Sequence, residues 1–160
     1  MAEALQTYLH DHYSGATFAA ELLESVSDEF RGHELGRLAS EILQEINHDR
    51  ETLKTLIHQT GSARPDLKDA AAWVAEKVSR LKLTKNDPYG LGVFQALETL
   101  SLGVLGKKAL WATLQRLAEV DQRIRQPDFA ALAQRAQDQF ARIEEYRLRL
   151  AQTTFSGAVV

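Results

Sequence analysis

The chain has no cysteine among its 160 residues. That excludes a disulfide framework, a thiolate nucleophile and a thiolate metal site. Strand signals are nearly as scarce: β-branched residues do not run together, and the three prolines, Pro65, Pro88 and Pro127, stand apart as joints between periodic segments. No sign of charge dominates either. With 19 basic against 22 acidic residues the net charge is −3, so the basic footprint of a nucleic-acid binder is missing and no such partner is expected. Met1 to Tyr13 lacks a basic region followed by an apolar run, which gives a cytoplasmic location as the expectation. What is present is an ordinary globular composition, 44% apolar and 26% charged, in a length suited to one domain, residues 1–160, with its own core.

Helical periodicity fills nearly all of it. From about Glu3 to Phe30 the residues Leu5, Leu9, His12, Ala16, Ala19, Leu23, Val26 and Phe30 recur at the three- and four-residue spacing of a bundle helix, and Gly32 ends the run. A second helix, about Leu35 to Gln59, carries Leu35, Leu38, Ile42, Ile46, Asp49, Leu53 and Leu56, and the two predict a hairpin. Asp66 can cap a shorter third helix with Leu67, Ala70, Val74, Val78 and Leu81 on one face. Asn86, Asp87 and Pro88 then open a fourth, about Tyr89 to Glu119. A fifth follows Pro127, with Phe129, Leu132, Ala136, Phe140, Ile143, Arg147 and Leu150 as its inner face. The expected fold is therefore all-α: an antiparallel four-helix bundle in which the shorter third helix is a crossover, so that the second and fourth helices run parallel.

In the fourth helix, Tyr89 to Gly106 holds a single charged residue, Glu98, and apolar side chains on every face. A membrane span is disfavoured by its length, its four glycines and that central carboxylate. The stretch predicts a helix surrounded by protein, either inside the bundle or as a homodimer contact through Val93, Leu100, Val104 and Trp111.

Chemistry-bearing residues are few. Glu45 and His48 form a Glu-x-x-His pair, the half-motif that ferritin-like di-iron proteins supply twice, along with one Glu from each of two other helices. Glu98 matches one of those in name, but the last helix offers Glu144, Glu145, Tyr146, Arg147 and Leu148, with no second Glu-x-x-His. Helical phase also turns His48 away, about 130° from the seam centre, while Asp49 falls within about 30° and Glu45 about 70° off. By the same reasoning His12 and Arg147 face inward. The expected interior polar cluster is thus His12, Glu45, Asp49, Glu98 and Arg147, with Arg147 satisfying Glu98 and Glu45, and His12 paired to Asp49. As a structural network it needs no cofactor. The alternative is a metal site for Fe, Mn or Zn on His12, Glu45, Asp49 and Glu98, against which the inward arginine stands as a built-in cation. Lys107, Lys108 and Arg116 read as a solvated basic face.

Asp11-His12 with Gly15-Ala16, the run Glu45 to Leu53 with Asp49-Arg50, Arg80 to Leu83, and Leu97-Glu98 through Leu102-Gly103 to Ala109-Leu110-Trp111 resemble an uncharacterised group of small bacterial ferritin-like proteins. The resemblance implies a ferritin-like fold and a bacterial origin, and implies no activity. The functional expectation is a non-enzymatic ferritin-like bundle with a structural charge cluster. The alternatives are a divergent di-metal carboxylate protein for iron handling or oxidation, and a module enclosing a small anionic or apolar ligand near Arg147.

Overall fold

The computed structural model describes residues 2–61, 76, 83 and 87–157. Among them four α-helices and no strand occur: α1 (Ala2–Glu29), α2 (Glu34–Thr60), α3 (Leu91–Leu117) and α4 (Phe129–Ser156), with a 3-10 turn at Gln122–Ile124 ahead of the last. The long helices expected fourth and fifth in the sequence are therefore α3 and α4. Of the short crossover helix only Glu76, which is helical, and Leu83, packed against the core, are described. The rest of that prediction lies outside the described residues.

Three of the helices bury a regular seam. In α2 it is Leu35, Ala39, Ile42, Ile46, Asp49, Leu53, Leu56 and Thr60. In α3 it is Val93, Leu97, Leu100, Val104, Lys107, Trp111 and Leu114. In α4 it is Phe129, Leu132, Ala136, Gln139, Ile143, Tyr146 and Leu150. Alternating steps of three and four residues keep each stripe facing its neighbours along the whole helix, which is the packing geometry of bundles.

The ends are built locally. Gly32, with φ +85°, takes the left-handed conformation that ends the first helix without a Cβ penalty. His33 then caps α2 by accepting from the Leu35 N–H at 3.3 Å, and Asp128 caps α4 by accepting from Ala131 N–H at 3.0 Å. Gly157, with φ +66°, closes α4.

Contacts at the helix ends set the directions. Gln6, early in α1, donates to the Thr60 hydroxyl at 2.7 Å and the Ile57 carbonyl at 3.3 Å, at the far end of α2. In the other pair, Thr154 late in α4 donates to the carbonyl of Tyr89, just before α3, at 2.9 Å. Each pair is an antiparallel hairpin. The His33 and Tyr89 rings meet edge to face at 6.1 Å, and Arg123, just past α3, donates to the Thr60 carbonyl at 3.3 Å. The starts of α2 and α3 therefore share one end of the molecule and their finishes the other, so these two helices run in the same direction.

Where α1 turns into α2 the backbones approach very closely. A Cβ at Gly36 would lie 2.1 Å from the Phe30 carbonyl oxygen, an atom that cannot move aside without opening the turn. Gly106, inside α3, has nothing within 4 Å of such a Cβ among the described residues. Thermal unfolding should separate the two: Gly106→Ala is expected to stabilise by about 0.5–1 kcal/mol through helix propensity alone, whereas Gly36→Ala should lower Tm despite the same propensity gain. Equal shifts for both would mean the turn is not held as tightly as described.

The apolar character of α3 has a simple origin. Val93, Leu100, Val104 and Trp111, the face read from sequence as a contact with a second subunit, are at most 2% exposed within one chain. They are its own core face, and the large apolar residues that α3 leaves exposed are Leu91, Leu102 and Leu105. Among the described residues no helix is long and apolar enough to cross a membrane.

Candidate functional site

Three seams each place one polar residue at the same level of the core: Asp49 on α2, Lys107 on α3 and Gln139 on α4. Asp49 is 1% exposed and Gln139 0%. The Lys107 ammonium donates to Asp49 Oδ2 at 2.5 Å and to Gln139 Oε1. Arg135, entering from the rim, donates to the other Asp49 oxygen. Gln139 uses its amide nitrogen on Glu45 Oε2 at 2.8 Å, and Arg142 holds Glu45 Oε1 at 2.6 Å. The result is a continuous chain of charge-assisted hydrogen bonds in which every charged group has a partner of opposite charge, the condition under which buried ions are tolerated. Burial pulls the Lys107 pKa down, and the adjacent Asp49 carboxylate opposes that fall.

The five residues expected to form this cluster are dispersed. Asp49 and Glu45 belong to it, but their cations are Lys107, Arg135 and Arg142 rather than His12 and Arg147. Glu98 does pair with Arg147 as expected, at 3.8 Å, but outside the core, with its side chain 56% exposed. Arg147 lies on the flank of α4, gripped by Glu144 at 2.7 and 2.8 Å and stacked over the Phe94 ring at 5.1 Å. Hydrogen bonding from Arg147, with a smaller contribution from Ser101 at 2.5 Å, holds the Glu144 pKa below the usual carboxylate value. The inner line of α4 runs through Gln139 and Tyr146, each one residue before the expected Phe140 and Arg147. The other five expected positions, Phe129, Leu132, Ala136, Ile143 and Leu150, are buried as read, so the difference is confined to these two. His48 is exposed, as its phase requires.

The missed residues had a signal. Lys107 is seven residues from Leu100 and from Leu114, on the apolar seam rather than with solvated Arg116. Arg135, Arg142 and Arg149 are spaced by sevens and face Asp49, Glu45 and Glu34 in antiparallel order, with Arg149 to Glu34 at 2.7 Å. This ladder is the charge pattern that flanks coiled-coil seams, and it joins the two hairpins along α2 and α4. The other junction, α1 against α3, is apolar and incompletely filled. Between α1, α2 and α3 lies a cavity of about 240 Å³ whose wall includes His12, Gly15, Ala16, Gly103 and Trp111, with Asp49 and Lys107 at its polar side. Half-buried His12 packs edge to face on Tyr8 at 4.7 Å. Burial pushes its pKa below the ordinary imidazole value, against the opposing charge of Asp11, so the ring is neutral at pH 7.

No family model, curated protein or solved structure matches the chain. Its chemistry therefore has to be argued from the side chains themselves.

A di-metal centre of the ferritin-like kind does not fit them. Both oxygens of Asp49 accept from cationic side chains, both oxygens of Glu45 are hydrogen-bonded, and Glu98 faces solvent. Among the described residues no three His, Asp or Glu side chains converge as a ligand set. An ammonium lodged between Asp49 and Gln139 occupies the position where a cation would have to bind.

Proposed function

We propose that this chain is a non-catalytic ferritin-like bundle in which an internal ion network stands where that architecture elsewhere carries a metal centre. The observation that carries the reading is Lys107: its ammonium, buried on a helix seam, neutralises the carboxylate best placed to bind a metal. Two antiparallel hairpins with α2 parallel to α3 support the ferritin-like comparison, since that order calls for one connection running the length of the bundle. A network in which both carboxylates are held by cationic or amide donors favours a fixed core arrangement over turnover chemistry.

Elemental analysis tests this directly. Protein from cultures with and without added iron, manganese and zinc is expected to carry far less than one equivalent of any of them, and the Asp49→Ala, Glu98→Ala double variant is expected to be destabilised with unchanged metal content. Stoichiometric metal in the parent protein that disappears in the double variant would overturn the reading and direct attention to oxidase or storage chemistry.

A further inference from the structure

The cavity between α1, α2 and α3 carries information that the ion network does not use. Its volume of about 240 Å³ exceeds the ~150 Å³ apolar cavity that takes benzene and falls below the ~300 Å³ at which drug-sized pockets begin. The wall is almost wholly apolar, built from Ala16, Phe18, Ala19, Leu53, Leu100 and Leu110, while Gly15 and Gly103 lie exposed at its rim. A Cβ at either glycine would meet nothing within 4 Å.

Two residues of this wall carry a donor that lacks an acceptor among the described residues. The Trp111 indole N–H is buried, on a residue 1% exposed, and has no hydrogen-bond partner among the described residues. Lys107 spends two of its three N–H groups on Asp49 and Gln139 and has one left. The two residues are four apart on one helix, so their side chains are neighbours on the same face. A buried indole donor left unpaired is costly and calls for an acceptor. Asp49 also lines the cavity, and the charges of the layer are close to balanced. Lys107, Arg135 and Arg142 face Asp49 and Glu45 within the layer, and the remaining acid, Glu41, is exposed and 3.8 Å from Arg142.

We propose that this cavity is a binding site for a small apolar monocarboxylate, with the carboxylate received by Lys107 and Trp111 and the hydrocarbon lodged against the apolar wall. The site lies beside the ion network and does not depend on the ferritin-like comparison. Neutral His12 adds a polar group to the wall without adding a charge.

Isothermal titration of the full chain with octanoate tests it, with octan-1-ol as the uncharged probe of the same length. The expected result is one saturable site for octanoate and binding of octanol at least about tenfold weaker, the loss anticipated for hydrogen bonds to a charged head. Trp111→Phe should weaken octanoate about tenfold while leaving helicity unchanged. Gly15→Leu with Gly103→Leu, which crowds the rim using residues that favour helix, should abolish saturable binding in a folded protein. Absence of a saturable site in the parent would overturn the proposal. Octanol bound as tightly as octanoate would overturn the carboxylate assignment, and folded variants that bind like the parent would overturn the location.

Discussion

Replacing Asp49 by alanine is expected to remove about 3–5 kcal/mol of stability, read from urea unfolding at neutral pH, because it breaks a buried ion pair by deleting one side only. Asp49 is 1% exposed and receives both Lys107 and Arg135. Without the carboxylate, Arg135 can turn to solvent, since its side chain is already 32% exposed. Lys107 cannot follow, because its ammonium is buried among seam residues, where Gln139 is the acceptor that remains among the described residues. Most of the loss therefore comes from the stranded lysine. Lys107→Met should be milder, because Asp49 keeps Arg135. Asp49→Leu combined with Lys107→Met should recover most of the loss and can exceed the parent by about 1–4 kcal/mol, as apolar replacements of buried pairs do. A single Asp49→Ala loss under about 1 kcal/mol would mean that water reaches the layer, and the network could not then be called the organiser of the core.

The same layer shows how far sequence reading reaches. Asp49 was legible because it interrupts an apolar seam at the right phase, with Ile46 three residues before it and Leu53 four after. Lys107 satisfies the same rule between Val104 and Trp111. It was hidden because Lys108 follows it and Arg116 lies nearby, and neighbouring cations suggest a wet face. Two positions of the α4 stripe differ from the reading for a related reason. Phe140 is more hydrophobic than Gln139, and hydrophobicity alone selects it, yet the buried position is the glutamine, whose amide bridges Lys107 and Glu45. Single polar residues inside seams carry the information that a hydrophobic pattern discards. A register of acids on α2 against arginines spaced by sevens on α4 places those two helices antiparallel and side by side before any core is considered.

The lengths of the four described helices were readable to within a few residues, because joints such as Gly32 and Pro127 act through local backbone chemistry. The pairing of His12 with Asp49 was not. Whether two inward residues touch depends on how closely their helices approach, and the small side chains Gly15, Ala16 and Gly103 leave space on the α1 and α3 sides. One hairpin junction closes through long charged side chains while the other stays partly open. This asymmetry follows from side-chain volume, which periodicity does not register.

Trp111 stands at the boundary between the filled and unfilled halves, and truncating it is the second large effect expected. Its ring is 1% exposed and stacks on Phe129 at 6.2 Å with an interplanar angle of 26°. Trp111→Ala should destabilise by about 3–5 kcal/mol in urea unfolding, because deleting a large core aromatic loses both its transfer free energy and its contacts. Relaxation should offset little of this. The space vacated adjoins a cavity of about 240 Å³, so the neighbours on that side have no packed layer to drive them inward. Trp111→Phe is the informative companion. It keeps an aromatic ring on Phe129 and removes an N–H that is buried without an acceptor, so relief of an unsatisfied donor opposes the loss of ring volume and the net change should stay within about 1 kcal/mol. A phenylalanine variant as unstable as the alanine one would show that the indole N–H already has a partner, such as an ordered water. In that case the donor would no longer point to an acceptor brought in from outside.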